Sequence, residues 1–445
     1  MKKYNNYKDS GIDWIGEIPS NWSCTKLKFH TKKIIDGAHF TPTYIEKSND
    51  SIPFLRVTDL HSKEILLDEV KYIPLSEHQE LIKRCNPEMG DLLLSKNGTI
   101  GLMKIIDWDW EFSIFVSLCL LKFESSLLNK FFYYFFESNI VDRQLFESSQ
   151  KTSVSNLHLE KIKELRLTLP SIEEQKIIAN YLDHKTSQID TLIAKKEQFI
   201  NLLQEERTSL INQAVTKSFD PKVKMKDSGI EWLGEIPEQW KLMKIGSLSQ
   251  CITGYAFKSD NFSFENGIKI VRGDNVTENS LRWGDKTRYW NEYSEALDKF
   301  QLQKNDIVIG MDGSKVGKNY AYIEERDLPL LLVQRVARVR PTNELIAKWI
   351  HFNIGSYNFK YYINLSKTDP AIPHITLKNI TNYPICVPGT DELNLIIKKL
   401  TLKLEKLDET IKKSNQEIEV LQEYKTALIS EVVTGKIDIR DVILN

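Results

Sequence analysis

Two sets of polar side chains in this 445-residue chain have the chemistry to hydrogen-bond base edges and phosphates. In the first set, IIDGAHFTPTY gathers Asp36, His39, Thr41 and Thr43 around a glycine, just after Lys32 and Lys33. Arg56, Thr58 and Asp59 close the apolar run FLRV, SKNGT puts Lys96 and Asn97 in a turn, and QKTSVSN holds Lys151, Ser153 and Asn156. In the second set, GYAFKSDNF carries Tyr255, Lys258 and Ser259, and Arg272, Asp274 and Asn275 follow the run KIVR. MDGSKVGK offers Asp312, Ser314, Lys315 and Lys318, QRVARVR holds Arg335, Arg338 and Arg340, and SKTDPAIPH brings Lys367 and His374. Arg, Asn, Gln and Lys read base edges, while Lys, Ser and Thr also hold phosphates. Arg56, Lys96, Lys151, Arg272, Lys315 and Lys318 are the first candidates for contact. Each of these residue types also serves as a cap or a solvated loop, and Arg335 and Arg338 on a strand would pair within the fold.

Reactive constellations are missing. There is no H-E-x-x-H and no G-x-S-x-G, and GSKVGK at 313–318 is one residue short of a phosphate loop, with Asn319 where Ser or Thr would follow the lysine. It reads as a strand–turn segment. No Asn-Pro-Pro-aromatic motif for base methylation occurs. The Glu-x-Lys type elements Asp183-His-Lys185 and Glu423-Tyr-Lys425 fall on long helical stretches and read as solvated charge pairs. The eight histidines lack metal-ligand spacing, and the five cysteines form no C-x-x-C, so neither a metal site nor a disulfide is expected.

What positions the polar loops is a duplicated frame. KDSGIDWIGEIPSNW (8–22) returns as KDSGIEWLGEIPEQW (226–240), 218 residues on, with 11 of 15 positions identical. LTLPSIEEQ (167–175) aligns with ICVPGTDEL (385–393), and QEERTSLINQAVTKSFD (204–220) with QEYKTALISEVVTGKID (422–438). Fainter echoes join GDLLLSKNGTIG to NDIVIGMDGSKVG and FLRVTDL to IVRGDNV. From Ile172 to Lys217 there is neither Pro nor Gly, and Ile178, Leu182, Ile189, Leu192, Phe199, Leu203 and Leu210 form a heptad seam. Ile396, Leu400, Leu407, Leu421 and Leu428 repeat it, with Gly435 as a stop. Two such helices should pair, antiparallel if the halves are related by a pseudo-two-fold axis. Between the islands lie two mixed inserts, 23–170 and 241–388. LLLSK, DIVIG, FLRV and KIVR read as strands, and 127–146 and 344–363 as helices whose aromatic faces are core. The second insert holds 20 basic and 15 acidic residues, the first 19 and 20, so a basic surface on the first would have to be local. Net charge is −1, which argues against a histone-like binder that coats nucleic acid by bulk charge. No apolar run spans a membrane and no signal peptide is evident, so a cytoplasmic location is expected.

These motifs together resemble the DNA specificity subunit of type I restriction-modification systems. The resemblance rests on the twin KDSGI-[DE]-W-[IL]-GEIP segments, the Pro170-x-x-EEQ and Pro388 helix starts, the [RK]-T-[SA]-LI-x-x-x-VT-[KG] helix ends, and DGAHFTP and LLLVQRVARVRP. In the second helix start, the EEQ element is reduced to Asp391-Glu392. The resemblance implies an α+β fold with two mixed target recognition domains in tandem, at 1–170 and 219–388. Each is followed by a long helix, at 171–218 and 389–445, the two forming an antiparallel coiled coil that fixes the gap between half-sites. It implies a non-catalytic chain that binds a bipartite double-stranded DNA target and docks two modification subunits, with restriction subunits joining them. S-adenosylmethionine, ATP and Mg²⁺ would be used by those partners and none bound by this chain. A self-contained DNA-modifying enzyme and a coiled-coil scaffold are the competing readings.

Overall fold

The structure is a computed structural model that describes residues 2–61, 64–147, 156–292, 294–366 and 373–443. The chain divides into two compact units, one of Met1–Lys196 with Asn415–Asn445, the other of Glu197–Ser414. Each contains one insert and half of each long helix.

In the first unit, β1 (Ser23–Lys26), β2 (Thr31–Asp36), β3 (Ser51–Leu55), β4 (Lys71–Pro74), α1 (Leu75–Arg84), β5 (Leu92–Ser95), β6 (Met103–Ile105), β7 (Ser113–Ile114), β8 (Leu118–Phe123), α2 (Asn129–Phe136) and β9 (Arg166–Leu169) precede α3 (Ile172–Thr216). An antiparallel sheet runs β2-β8-β5-β6, a second runs β4-β3-β7 with β3 and β7 parallel, and β9 pairs with β1. Both faces of the sheet are covered, which explains why LLLS is buried throughout and its three leucines run without alternation. Leu92, Leu94, Cys119 and Leu121 face Phe131, Phe132 and Phe135 of α2. Leu93, Leu118 and Leu120 face Ile106, Phe112 and Ile114 on the other side.

The second unit repeats this plan with β10 (Lys241–Lys244), β11 (Ser249–Thr253), β12 (Ile268–Val271), β13 (Tyr289–Trp290), β14 (Ile307–Gly310), β15 (Tyr320–Tyr322), β16 (Leu330–Leu332), β17 (Val336–Pro341), α4 (Glu344–Ile354) and β18 (Pro384–Val387) before α5 (Thr390–Val433). Its sheets run β11-β17-β14-β15 and β13-β12-β16, and β10 pairs with β18. Ile307, Ile309, Ala337 and Val339 pack on Trp349 and Ile350, while Val308 and Val336 pack on Ile270, Val271 and Leu330. The aromatic helices are core, as expected, but each breaks. Ser138 Oγ donates to the Phe135 carbonyl and Ser356 Oγ to the Asn353 carbonyl, ending α2 and α4 before a second short helix.

Both long helices form. In the first unit, Lys425 pairs with Asp190 at 2.7 Å and Lys196 with Glu417 at 2.5 Å, so the two halves there run antiparallel. In the second unit, Arg207–Asp408 and Ser218–Glu392 show the same sense. Ile178, Leu182, Ile189, Leu203, Ile396, Leu400 and Leu428 are buried, and Leu210, Leu407 and Leu421 half-buried. Leu192 and Phe199 are not on the seam: they are 44% and 45% exposed, and Ile193 and Ile200 replace them. A step of seven falls short of two full α-helical turns by about 20°, and a step of four, from Ile189 to Ile193, restores the facing.

The repeated opening segments have the same job in each unit. Trp22 is fully buried, and its indole N–H donates to Glu174 Oε2 at 2.9 Å. Trp240 makes the same bond to Glu392 at 3.1 Å. The reduced EEQ element therefore keeps the carboxylate that matters. Gln175, which bonds the Leu128 amide and the Ser126 and Pro170 carbonyls, is replaced by the buried Leu393. Gly435 has φ +71° and closes α5, as expected.

Candidate nucleic-acid interface

The polar loops converge in each unit on the same backbone frame. β2 ends at Asp36 and Gly37, where an added Cβ would lie 2.0 Å from the Ile114 carbonyl oxygen. Gly254, after β11, would meet the Val333 oxygen at 2.2 Å. Only glycine lets the two strands approach so closely. Beyond it, the Ala38 amide donates to Ile114 and the Val116 amide to Ala38; Tyr255 to Leu332 and Gln334 to Tyr255 match them. The turn after β5 is tied down by Lys96 N–H to the Ser117 carbonyl, and the turn after β14 by Met311 N–H to the Arg335 carbonyl. A β-bridge then joins Asn97 to Asn156, and another joins Asp312 to His374. Arg56 and Arg272 occupy equivalent places at the ends of β3 and β12. Their amides donate to Asp59 Oδ2 and Asn275 Oδ1, at 2.7 and 3.1 Å.

The side chains on this shared frame differ. In the first unit, Asp36 is buried and accepts from Lys96 at 2.9 Å, Arg84 at 2.6 Å and His39 at 3.0 Å. Burial opposes the charge on Asp36, but these donors outweigh it and hold the carboxyl well below the usual range. Lys33 donates to the Arg84 carbonyl. Arg84, which is exposed, and Lys33 beside it put cationic groups at the edge of this cluster, while Lys96 lies buried beneath. In the second unit, Arg335 and Asp312 pair at 2.8 Å.

Not all the expected contact residues are free to make contacts. Lys96 and Asp36 are buried against each other and build the frame. Asn275 is fully buried and donates to the Arg282 and Lys286 carbonyls. Arg56 forks onto Asp59, and Arg272 reaches the Lys286 carbonyl and lies over the Phe262 ring. Arg338 is buried on the Lys299 carbonyl, and Arg340 pairs with Asp306, as strand residues would. His39, Thr41, Thr58, Tyr255, Lys258, Ser314, Lys315, Lys318, Arg335 and His374 are exposed, while Asn97, Asn156 and Asp312 are half-buried. Lys151, Ser153 and Lys367 lie outside the described residues. Arg84, Ser117 and Gln334 went unnoticed in the sequence. Aligning DGAHF with TGYAF would have exposed the paired glycines, and the 218-residue offset of the repeated segments would have set Ser117 opposite Arg335. Among the described residues, no group of three or more His, Cys, Asp or Glu side chains is placed to hold a metal. No described helix is long and apolar enough to cross a membrane.

A family model described as type I restriction modification DNA specificity domain matches residues 31–202 and 237–420. The chain is 24% identical over 432 residues to the type I restriction enzyme MjaVIII specificity subunit of Methanocaldococcus jannaschii, across 96% of this chain and 95% of that one. A solved chain from work on "complex assembly and conformational transition of the type I R-M system" is similar with a TM-score of 0.70 at 14% identity, covering 94% of this chain and 99% of that one. The HsdS subunit of Thermoanaerobacter tengcongensis gives 0.50 at 15% identity, over 94% and 98%. At these identities, the structural likeness establishes the fold.

Proposed function

The chain belongs to the type I restriction-modification DNA specificity family, and on that premise we propose that it is the non-catalytic subunit that addresses such a complex to a bipartite double-stranded target. One observation carries this reading: the same loop frame is built twice and dressed with different side chains, Lys96–Asp36 and Ser117 in one unit, Arg335–Asp312 in the other. Two unlike half-sites call for two unlike readers on a common scaffold. Lys315, Lys318, Lys258 and Arg84 supply phosphate contacts, and the exposed loop side chains read base edges.

Two modification subunits dock on surfaces that the duplication repeats. Ile177 and Leu395 occupy equivalent positions of the two helices and are exposed, as are Leu202 and Val420. Restriction subunits join through the modification subunits. S-adenosylmethionine, ATP and Mg²⁺ serve those partners, and the complex works in the cytoplasm. Selection of duplexes from a random library by the full chain, with and without modification subunits, tests the proposal. A consensus in two parts separated by an unspecified gap is expected; a single short motif, or none, would overturn it.

A further inference from the structure

The loop cluster of the second unit contains one arginine whose backbone and side chain are both held for a purpose the fold does not need. Arg335 lies between β16 and β17 with φ +66°, a conformation that non-glycine residues rarely adopt. The structure over-determines it: the Met311 amide grips the Arg335 carbonyl at 3.0 Å, and the Gln334 amide is bound to Tyr255 at 2.8 Å. Strain retained in this way marks functional positions. The consequence is that the side chain projects outward, 72% exposed. It is nonetheless not loose, since Nη1 donates to Asp312 Oδ2 at 2.8 Å. Asp312 is itself fixed by its bridge to His374 and by the neighbouring Gly313 amide on the Pro373 carbonyl. One of the five donors of the guanidinium is thereby used to orient it, and the rest of its fork is left facing out. In the first unit, the same place is taken by Ser117, which is buried. The arginine is therefore no requirement of the frame.

We propose that Arg335, aimed by Asp312, reads a guanine in the half-site recognised by the second unit, through paired hydrogen bonds to O6 and N7. A planar fork matches that edge in a fixed geometry that the flexible ammonium of a lysine does not reproduce. Asp312 is a positioning residue. The inference rests on the DNA-addressing function proposed above.

The test is duplex selection with the full chain and its modification subunits, comparing wild type with Arg335→Lys, Arg335→Asn and Asp312→Asn. Asn tolerates the left-handed backbone, so that variant keeps the fold. The expected result is a guanine at one position of one half-site, whose preference falls about 10- to 100-fold in both Arg335 variants. It weakens less in Asp312→Asn, the other half-site is untouched, and the salt dependence in Arg335→Lys is unchanged. An unaltered consensus would overturn the inference while leaving the proposed function intact. So would a uniform loss of affinity with a flatter salt dependence in Arg335→Asn, the mark of a phosphate contact. If the wild type selects no bipartite site, the proposed function itself fails and the inference falls with it.

Discussion

Lysine side chains of the same type have opposite fates in the two readers, and burial decides which. Lys96 is buried on Asp36, whereas Lys315 and Lys318 are exposed. Lys96→Met should cost about 3 kcal/mol of stability by leaving a buried carboxylate short of a partner, without changing how DNA affinity depends on salt. Lys315→Ala should leave stability alone and flatten the log–log salt slope by about 0.9. Chemical denaturation and binding at several salt concentrations check both; a slope change in Lys96→Met would return that lysine to the interface. Sequence reading cannot separate such cases, because the carboxylate that captures Lys96 lies 60 residues away. A second residue-scale effect is set by His351, packed against Tyr320 and Tyr322 with no partner for Nδ1 among the described residues. Burial, aided by Arg207, holds its imidazole down to about 4, whereas an unfolded histidine titrates near ~6.5. Between those values, the unfolded chain takes up a proton that the folded one refuses. His351's contribution is therefore complete above pH ~6.5 and is lost as the pH falls toward 4, by about 2–3 kcal/mol. His351→Phe should remove that part of the pH dependence of urea unfolding between pH 7 and 4.5. Equal slopes in both proteins would contradict the assignment.

Elements are held by residues that repeat, and these were the most legible part of the chain. Trp22 and Glu174, like Trp240 and Glu392, stood out because the duplication put them in register. Their pairing was not legible, since 152 residues separate each indole from its carboxylate. Glu174 also accepts from the Tyr4 hydroxyl at 2.7 Å. Glu174→Ala should therefore strand two buried donors and destabilise the first unit by about 2–4 kcal/mol, while Glu174→Gln should recover part of the loss. A calorimetric transition that does not move would refute the role. The helix seam was read correctly in period and wrongly at Leu192 and Phe199, where one step of four shifts the facing. The strands were legible from apolar runs and the breaks at Ser138 and Ser356 were not, because a serine turning onto its own helix leaves no trace in periodicity.

For the whole molecule, the proposed function makes the paired helices a ruler. Deleting one heptad from each preserves both seams and shortens the pair by about 10 Å at ~1.5 Å per residue. The gap between half-sites should shrink by about three base pairs at ~3.4 Å each. Methylation mapping would detect this directly, and an unchanged gap would show that something else sets the spacing. The central claim is that each insert reads its own half-site. It is tested most directly by exchanging residues 23–170 for the matching insert of another family member and mapping methylated sites across the genome of a host carrying the complete system. The account predicts a bipartite motif in which one half changes and the other half and the gap persist. A change in both halves, or in neither, would contradict it.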